Sequence, residues 1–343
     1  MKKTLKATLL ATSGLMITSV AHAEGSLNLY NWGDYINPAV LTKFTEETGI
    51  EVTLDTYGSN EEMLAKIQAG ASGYDLVFPS VHMHDIMFQL GLLAETGIGS
   101  NPAFSNIDSQ FIRAQTDPEA AYCLPYAWGN VGIVYNRDKA EGITGFTDMF
   151  ALADAGEKII LLDDLRETIG IGHIMMGTSV NSTDEAEVEA AAQYIIDRSD
   201  AIAAFSYDSI PLVQSGDVAA AAWYVGANIF VQETPDAIGY IIPVEGATMY
   251  QEDMCALADA PNLENAKLFM EFYLRPEVAA LNVEQQLNGT PNIPAQALIP
   301  AEIAGNATIY PPEDVMEKLQ LFVDLGRDLQ LYNREWTRIK TSQ

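Results

Sequence analysis

Apolar and polar positions along this chain follow two rhythms, and each change of rhythm marks an element. Residues 27–31 alternate with period two, as a half-buried strand does. Asn37-Pro38 then opens a helix through Thr48, with Asn as its cap, Pro at the first helical position and Gly49 as its stop. Residues 50–57 alternate again. Ser59-Asn60-Glu61-Glu62 is a capping box ahead of apolar Met63, Leu64 and Ile67, and Gly70 ends that helix. Residues 74–79 form a short apolar run typical of a buried strand. The order β-α-β-α-β predicts a parallel sheet with right-handed crossovers.

A loop-rich stretch from 97 to 120 leads into an extended segment, 121–136, that is long for one strand. A second alternating series follows. Strands are predicted at 157–163, 201–205, 217–224 and 237–243, with helices near 146–155, 184–198, 209–215 and 226–233. Another extended segment at 253–258 precedes helices at 263–274 and 276–286, and the tail from Pro312 has a helical pattern. The two extended segments near 125 and 255 divide the α/β series. They predict two lobes joined by crossing strands: 24–126 with 254–305 as the first, 127–253 with 306–343 as the second, and a ligand between them.

The first residues change the compartment. Lys2, Lys3 and Lys6 precede an apolar run from 7 to 20 and the small-x-small site Ala21-His22-Ala23, the pattern of a signal peptide cleaved after Ala23. A periplasmic protein is expected. The formal charge is −29, from 18 basic and 47 acidic residues. Such a surface repels nucleic acid and anionic lipid and draws in cations, although it also serves simply to keep an exported protein soluble. Charge by itself names no ligand. No cofactor is expected, and the chain is expected to be a monomer.

Ligands of open α/β sheets bind beyond the carboxyl ends of the strands. Those ends carry Trp32, Asp34 and Tyr35; Ser80 and His82; Asp163, Asp164 and Glu167; Trp223 and Tyr224; Tyr250 and Glu252. Rings offer cation–π attraction and carboxylates a counter-charge, so this set suits an organic cation. Arg166, amid three acids, is expected to be their salt-bridge partner rather than an anion ligand. Catalysis is not expected. His82, His84 and His173 lack a nucleophile setting, His82 and His84 lack a third metal ligand, and Gly170-Ile171-Gly172 fails the dinucleotide spacing.

Several fragments, in order, carry a resemblance: YNWGDYINPAVLTKFTEETGIEV, YGSNEEMLAKI, YDLVFPS, LPYAWG, LLDDLRET, YIIPVEGATM, FMEFYLRPEVA and IYPPEDV. Together they resemble the periplasmic spermidine/putrescine-binding proteins, the substrate-binding components of polyamine ABC importers. The resemblance implies a periplasmic-binding-protein fold that closes over a polyamine and docks on a membrane permease. It implies Trp32 and Tyr35 as first-lobe rings, Asp34 as a first-lobe counter-charge and Ser80 as a polar contact. Asp164 and Glu167 would take an amine in the second lobe, and Trp223 would stack on its methylenes. Tyr250 and Glu252 match an aromatic and an acid of the family, with Asp253 a rival for the acid's place. His82 and Asn288 stand where relatives carry other residues, Asn288 often replacing Tyr, so a different small organic cation or an amino-acid-like solute is the alternative ligand. Cys123 and Cys255 fall on the two crossing strands. They are expected to lie close enough for a disulfide, with two buried thiols as the other reading.

Overall fold

The computed structural model describes residues 25–70 and 73–342; the expected leader and cleavage site lie outside the described residues. Among the described residues ten strands form one sheet: β1 (Gly25–Trp32), β2 (Ile50–Tyr57), β3 (Leu76–Val77), β4 (Cys123–Asn136), β5 (Ile159–Leu161), β6 (Ile202–Phe205), β7 (Ala220–Tyr224), β8 (Ile238–Ile241), β9 (Ala247–Ala256) and β10 (Leu319–Leu321). Their order is β2-β1-β3-β9-β4-β7-β5-β6, with β10 on β9 and β8 on β4. β1 runs parallel to both neighbours, Leu29 lying opposite Leu54 and Leu76. The parallel start expected from the β-α-β-α-β order is therefore present. Asn37 accepts from the Ala39 amide and Gly49 takes the left-handed turn (φ 76°) around α1 (Pro38–Thr48); Ser59 accepts from Glu62 to start α2 (Asn60–Gln68).

β4 and β9 are the two crossing strands. They pair antiparallel from Cys123 opposite Cys255 to Val131 opposite Thr248, and so join the β1 side of the sheet to the β7 side. The register shifts between Pro125 and Ala127, where proline supplies no ladder N–H. Cys123 and Cys255 form a disulfide across this pair.

Two expectations are corrected. The second crossing strand begins at Ala247, not 253, so Tyr250 and Glu252 lie within it. Nearly every residue of β9 is buried, and a strand buried on both faces has no alternation to betray it. The tail is not helical throughout: a short turn, Glu313–Met316, leads into β10 before the C-terminal helix Leu329–Thr341.

Apolar residues collect on both sides of the crossing strands. In one cluster Leu27, Leu29 and Val40 surround Phe44, whose ring lies 5.0 Å from Phe269 and 5.3 Å from Phe272. In the other, Ile159 and Leu161 pack on Phe146 and Met149 of α4 (Phe146–Asp154). Each fully buried ring of this kind contributes roughly 1.5–3 kcal/mol through burial. That rigidity holds the strand ends where the polar groups sit. Among the described residues no helix is long and apolar enough to cross a membrane.

Candidate functional site

Period two puts Thr248, Tyr250 and Glu252 on one face of β9 and Met249, Gln251 and Asp253 on the other. The side-chain contacts follow that split. Glu252 is buried, and its Oε2 accepts from the Tyr35 hydroxyl at 2.9 Å and its Oε1 from Ser80 Oγ at 3.3 Å. Asp253 instead accepts from His84 Nδ1 at 2.8 Å and from Gln251 Nε2 at 2.8 Å. Of the two adjacent acids, Glu252 therefore shares a space with Tyr35.

Ser80 precedes α3 (Val81–Gln89) and is steadied by Asn60, whose Nδ2 donates to Ser80 Oγ at 3.0 Å. Trp32, at the end of β1, donates from Nε1 to the Phe78 carbonyl at 2.8 Å and lies 4.6 Å from the Tyr57 ring. Burial pushes the Glu252 carboxyl up to about 8; the Asp253 charge adds to this, and the Tyr35 and Ser80 hydroxyls oppose it.

A second pair of acids stands at the start of α5 (Leu165–Met176). Asp164 caps this helix, its Oδ1 accepting from the Arg166 amide at 2.8 Å and the Glu167 amide at 3.0 Å. Glu167 is buried, and its Oε2 accepts from Thr248 Oγ1. Burial pushes its carboxyl up to about 8, with the Asp164 and Glu252 charges contributing, while burial also raises Asp164. One face of β9 thus touches both glutamates, through Thr248 at one end and by carrying Glu252 at the other. Four residue steps of strand, about 13 Å, separate those ends.

Rings line the second pair. Trp223 and Tyr224 end β7, and Tyr207 follows β6 and lies 6.2 Å from Trp223 and 6.5 Å from Tyr224. Tyr224 meets Tyr250 edge to face at 5.3 Å, and the Tyr250 hydroxyl donates to Asn288 Oδ1 at 2.5 Å. The phenols of Tyr207 and Tyr224 are held well up, first by burial and then by the charges of Asp164 and Glu167, so those acids lie within electrostatic reach of the rings.

Three residues sit apart from this arrangement. Asp34 is exposed, in the left-handed region (φ 54°), and bonds to neither glutamate. His82 meets Phe322 edge to face at 6.4 Å, and burial, aided by the Arg166 charge, lowers it to about 4, so it is neutral there. Arg166 differs from the expectation, since it joins none of the ion pairs among the described residues. The capping role turns Asp164 inward, while the Arg166 guanidinium lies 4.5 Å over Phe322 and donates to Asn181 Oδ1 at 2.8 Å and to the carbonyls of Val180 and Val323.

Sequence reasoning picked out Tyr224 beside Trp223 but missed Tyr207 and Thr248 as members of this arrangement. Tyr207 follows β6, and the strand-end rule applied to β6 finds it. Thr248 was hidden by the late placement of β9.

The model of the bacterial extracellular solute-binding protein family matches residues 39–309. The chain is similar to the spermidine/putrescine-binding periplasmic protein of Escherichia coli (strain K12), 32% identical with 98% of each chain covered. It is also similar to the putrescine-binding periplasmic protein SpuD of Pseudomonas aeruginosa (strain UCBPP-PA14), 32% identical over 99% of this chain and 98% of that one. Among solved structures, a putative spermidine/putrescine ABC transporter from Listeria monocytogenes superposes with a TM-score of 0.84 at 32% identity, covering 93% of this chain and 99% of that one. These proteins are receptors of ABC transporters with a two-lobed fold. With the match spanning most of its length, the chain belongs to the bacterial extracellular solute-binding protein family, and it is a receptor rather than an enzyme.

Proposed function

We propose that this chain is a periplasmic receptor that binds a polyamine, of the putrescine or spermidine kind, between two closing lobes and delivers it to a membrane ABC importer. The observation that carries the reading is the pair of buried glutamates, Glu167 and Glu252. Both are held protonated well above the usual carboxylate range, and neither is ion-paired among the described residues. Two acids kept from water along one ring-lined strand face stabilise a cation that brings its own charge, and an unpaired ammonium would not enter without them. Tyr250, between the two acids on β9, offers a ring face to the methylenes.

The names of the relatives agree with this ligand class. In this reading residues 24–126 with 254–305 make one lobe and 127–253 with 306–343 the other. Hinge bending of β4 and β9 brings Trp32, Tyr35, Ser80 and Glu252 toward Asp164, Glu167 and Trp223. Asp34 adds an outer counter-charge at the rim, His82 a neutral ring beside Phe322, and Asn288 fixes Tyr250. The leader through Ala23 directs export, and the receptor acts as a monomer.

Calorimetric titration of ligand-stripped protein with putrescine, cadaverine, spermidine and spermine tests the reading, with glutamate and arginine as controls. One-to-one binding of at least one amine is expected. Silence from every amine, or binding of glutamate alone, overturns it.

A further inference from the structure

Asp253 and Cys255 share the face of β9 that turns away from Glu252, and a second group of polar side chains collects there around the disulfide. α3 is a helix, so His82 and His84, two residues apart, turn to different faces. His82 meets Phe322, while His84 is carried against Cys123 and Cys255. A ring nitrogen of His84 and the two sulfurs all lie within 4.8 Å of one another. The ligands missing beside His84 in the sequence thus come from β4 and β9.

The imidazole is only 2% exposed, and its two nitrogens are used unequally. Nδ1 pairs with Asp253 Oδ2 at 2.8 Å, which ties α3 to β9. Nε2 has no hydrogen-bond partner, and Asp117 Oδ2 stands 3.7 Å from it, beyond hydrogen-bond reach. That Asp117 oxygen is itself fixed by the amides of Tyr122 and Cys123 at 2.9 and 3.1 Å. A cavity of about 10 Å³, the space of about one water, is lined by His84, Asp117, Cys123 and Asp253 among others. Packing accounts for the bond to Asp253. It leaves unexplained a buried nitrogen that is unused beside two sulfurs and a carboxylate.

We infer that Cys123, Cys255 and His84 form a redox-gated zinc site: the chain holds either the disulfide or, once that bond is reduced, one Zn²⁺ on two thiolates and His84 Nε2, with Asp117 as the fourth ligand. Thiolate, imidazole and carboxylate are the donors that zinc takes in tetrahedral sites. Asp253 is then the outer carboxylate that accepts from the other nitrogen of a ligating histidine and so fixes its tautomer. Two electrons from a thiol or phosphine reductant break the S–S bond, and two protons complete the thiols. Zinc displaces both protons, and His84 supplies a lone pair. Reoxidation by a disulfide such as oxidised glutathione passes the two electrons to that reagent, restores the S–S bond and expels the metal. Either link ties β4 to β9, and the metal adds α3 to the joint.

The chain has no other cysteine, so the test is clean. The protein is reduced with a phosphine while unfolded, refolded without air, freed of reductant and titrated with Zn²⁺ and Co²⁺ at pH 8, beside the oxidised protein. The reduced form is expected to bind one zinc about 100-fold or more tightly than the oxidised form, and to melt higher with zinc. Cobalt is expected to give a thiolate charge-transfer band in the reduced form alone. Zinc K-edge absorption, which needs no variant, is expected to count two sulfurs beside lighter ligands. His84→Ala, checked for folding by the melting curve of its oxidised form, is expected to weaken zinc about tenfold or more. Equal zinc affinity in the two redox forms overturns the inference, as do fewer than two sulfurs on the metal or a reduced chain that fails to refold even with zinc. Unchanged affinity in a folded His84→Ala overturns it too, since the metal would then sit on the cysteines alone.

Discussion

Glu252→Gln separates what the buried carboxyl costs the empty protein from what it does for the ligand. Burial raises the Glu252 carboxyl from 4.5 to about 8 in the folded chain. Between those values the folded state holds a proton that the unfolded state has released, so the ligand-free protein loses stability as pH rises through this window. The loss is absent below about 4.5 and complete above about 8. At 1.36 kcal/mol per pH unit, its ceiling is roughly 5 kcal/mol.

Glutamine has the shape of the protonated acid and no charge to bury, and the Tyr35 and Ser80 hydroxyls can each donate or accept to suit it. The variant is therefore expected to melt with the wild type at pH 5, where most of the carboxyl is protonated in the fold. At pH 9 it is expected to melt higher. A gain of about 2 kcal/mol, below the ceiling because opening the cleft rehydrates the acid, corresponds to roughly 4–8 °C. Amine affinity is expected to fall about 100-fold or more, the scale of leaving one buried charge without its partner. Scanning calorimetry of both ligand-free proteins at pH 5 and pH 9, with titration at pH 8, makes the comparison. A variant that melts below the wild type at pH 9, or by the same margin at both pH values, refutes the reasoning and makes Glu252 a structural carboxylate.

Two further outcomes test the frame that holds the site. Replacing Cys123 and Cys255 together by Ser opens a covalent link across 132 residues of sequence. Urea unfolding is expected to show a loss of roughly 3–5 kcal/mol; alkylation of the unreduced wild type should add no mass, and two added groups would mean free thiols. Gly289→Ala would place a methyl 2.2 Å from Cε2 of Trp128, at the point where the Trp128 and Gly289 backbones exchange two hydrogen bonds. About 1–3 kcal/mol of destabilisation is expected, with a shift in tryptophan emission, and unchanged stability would mean that the indole moves aside freely.

Much of the fold was legible because its signals are local. Asn37, Ser59 and Gly49 satisfy or release backbone groups within their own turn, so their meaning does not depend on distant partners. β2 at Ile50–Tyr57 and the helix Pro276–Gln286 occupy the predicted residues for the same reason. The strand-end rule likewise singled out Trp32, Tyr35, Glu167 and Trp223 as candidates, since an apolar run that stops at polar or aromatic groups is visible in the chain itself.

What the sequence left open depended on which surfaces meet. β9 gave no alternation because both of its faces are buried, so its start, and with it the line of Thr248, Tyr250 and Glu252, emerged only from pairing with β4. Which of Glu252 and Asp253 shares a space with Tyr35 was a matter of parity, set by which face of β9 meets Tyr35 and which meets His84. Sequence proximity pairs Arg166 with its neighbouring acids, whereas in the fold Asp164 caps the helix and the Arg166 guanidinium lies over Phe322. Residue type supplied the carboxylates, but their raised proton affinity comes from the exclusion of water, and only the packing of strands and rings from distant parts of the chain excludes it.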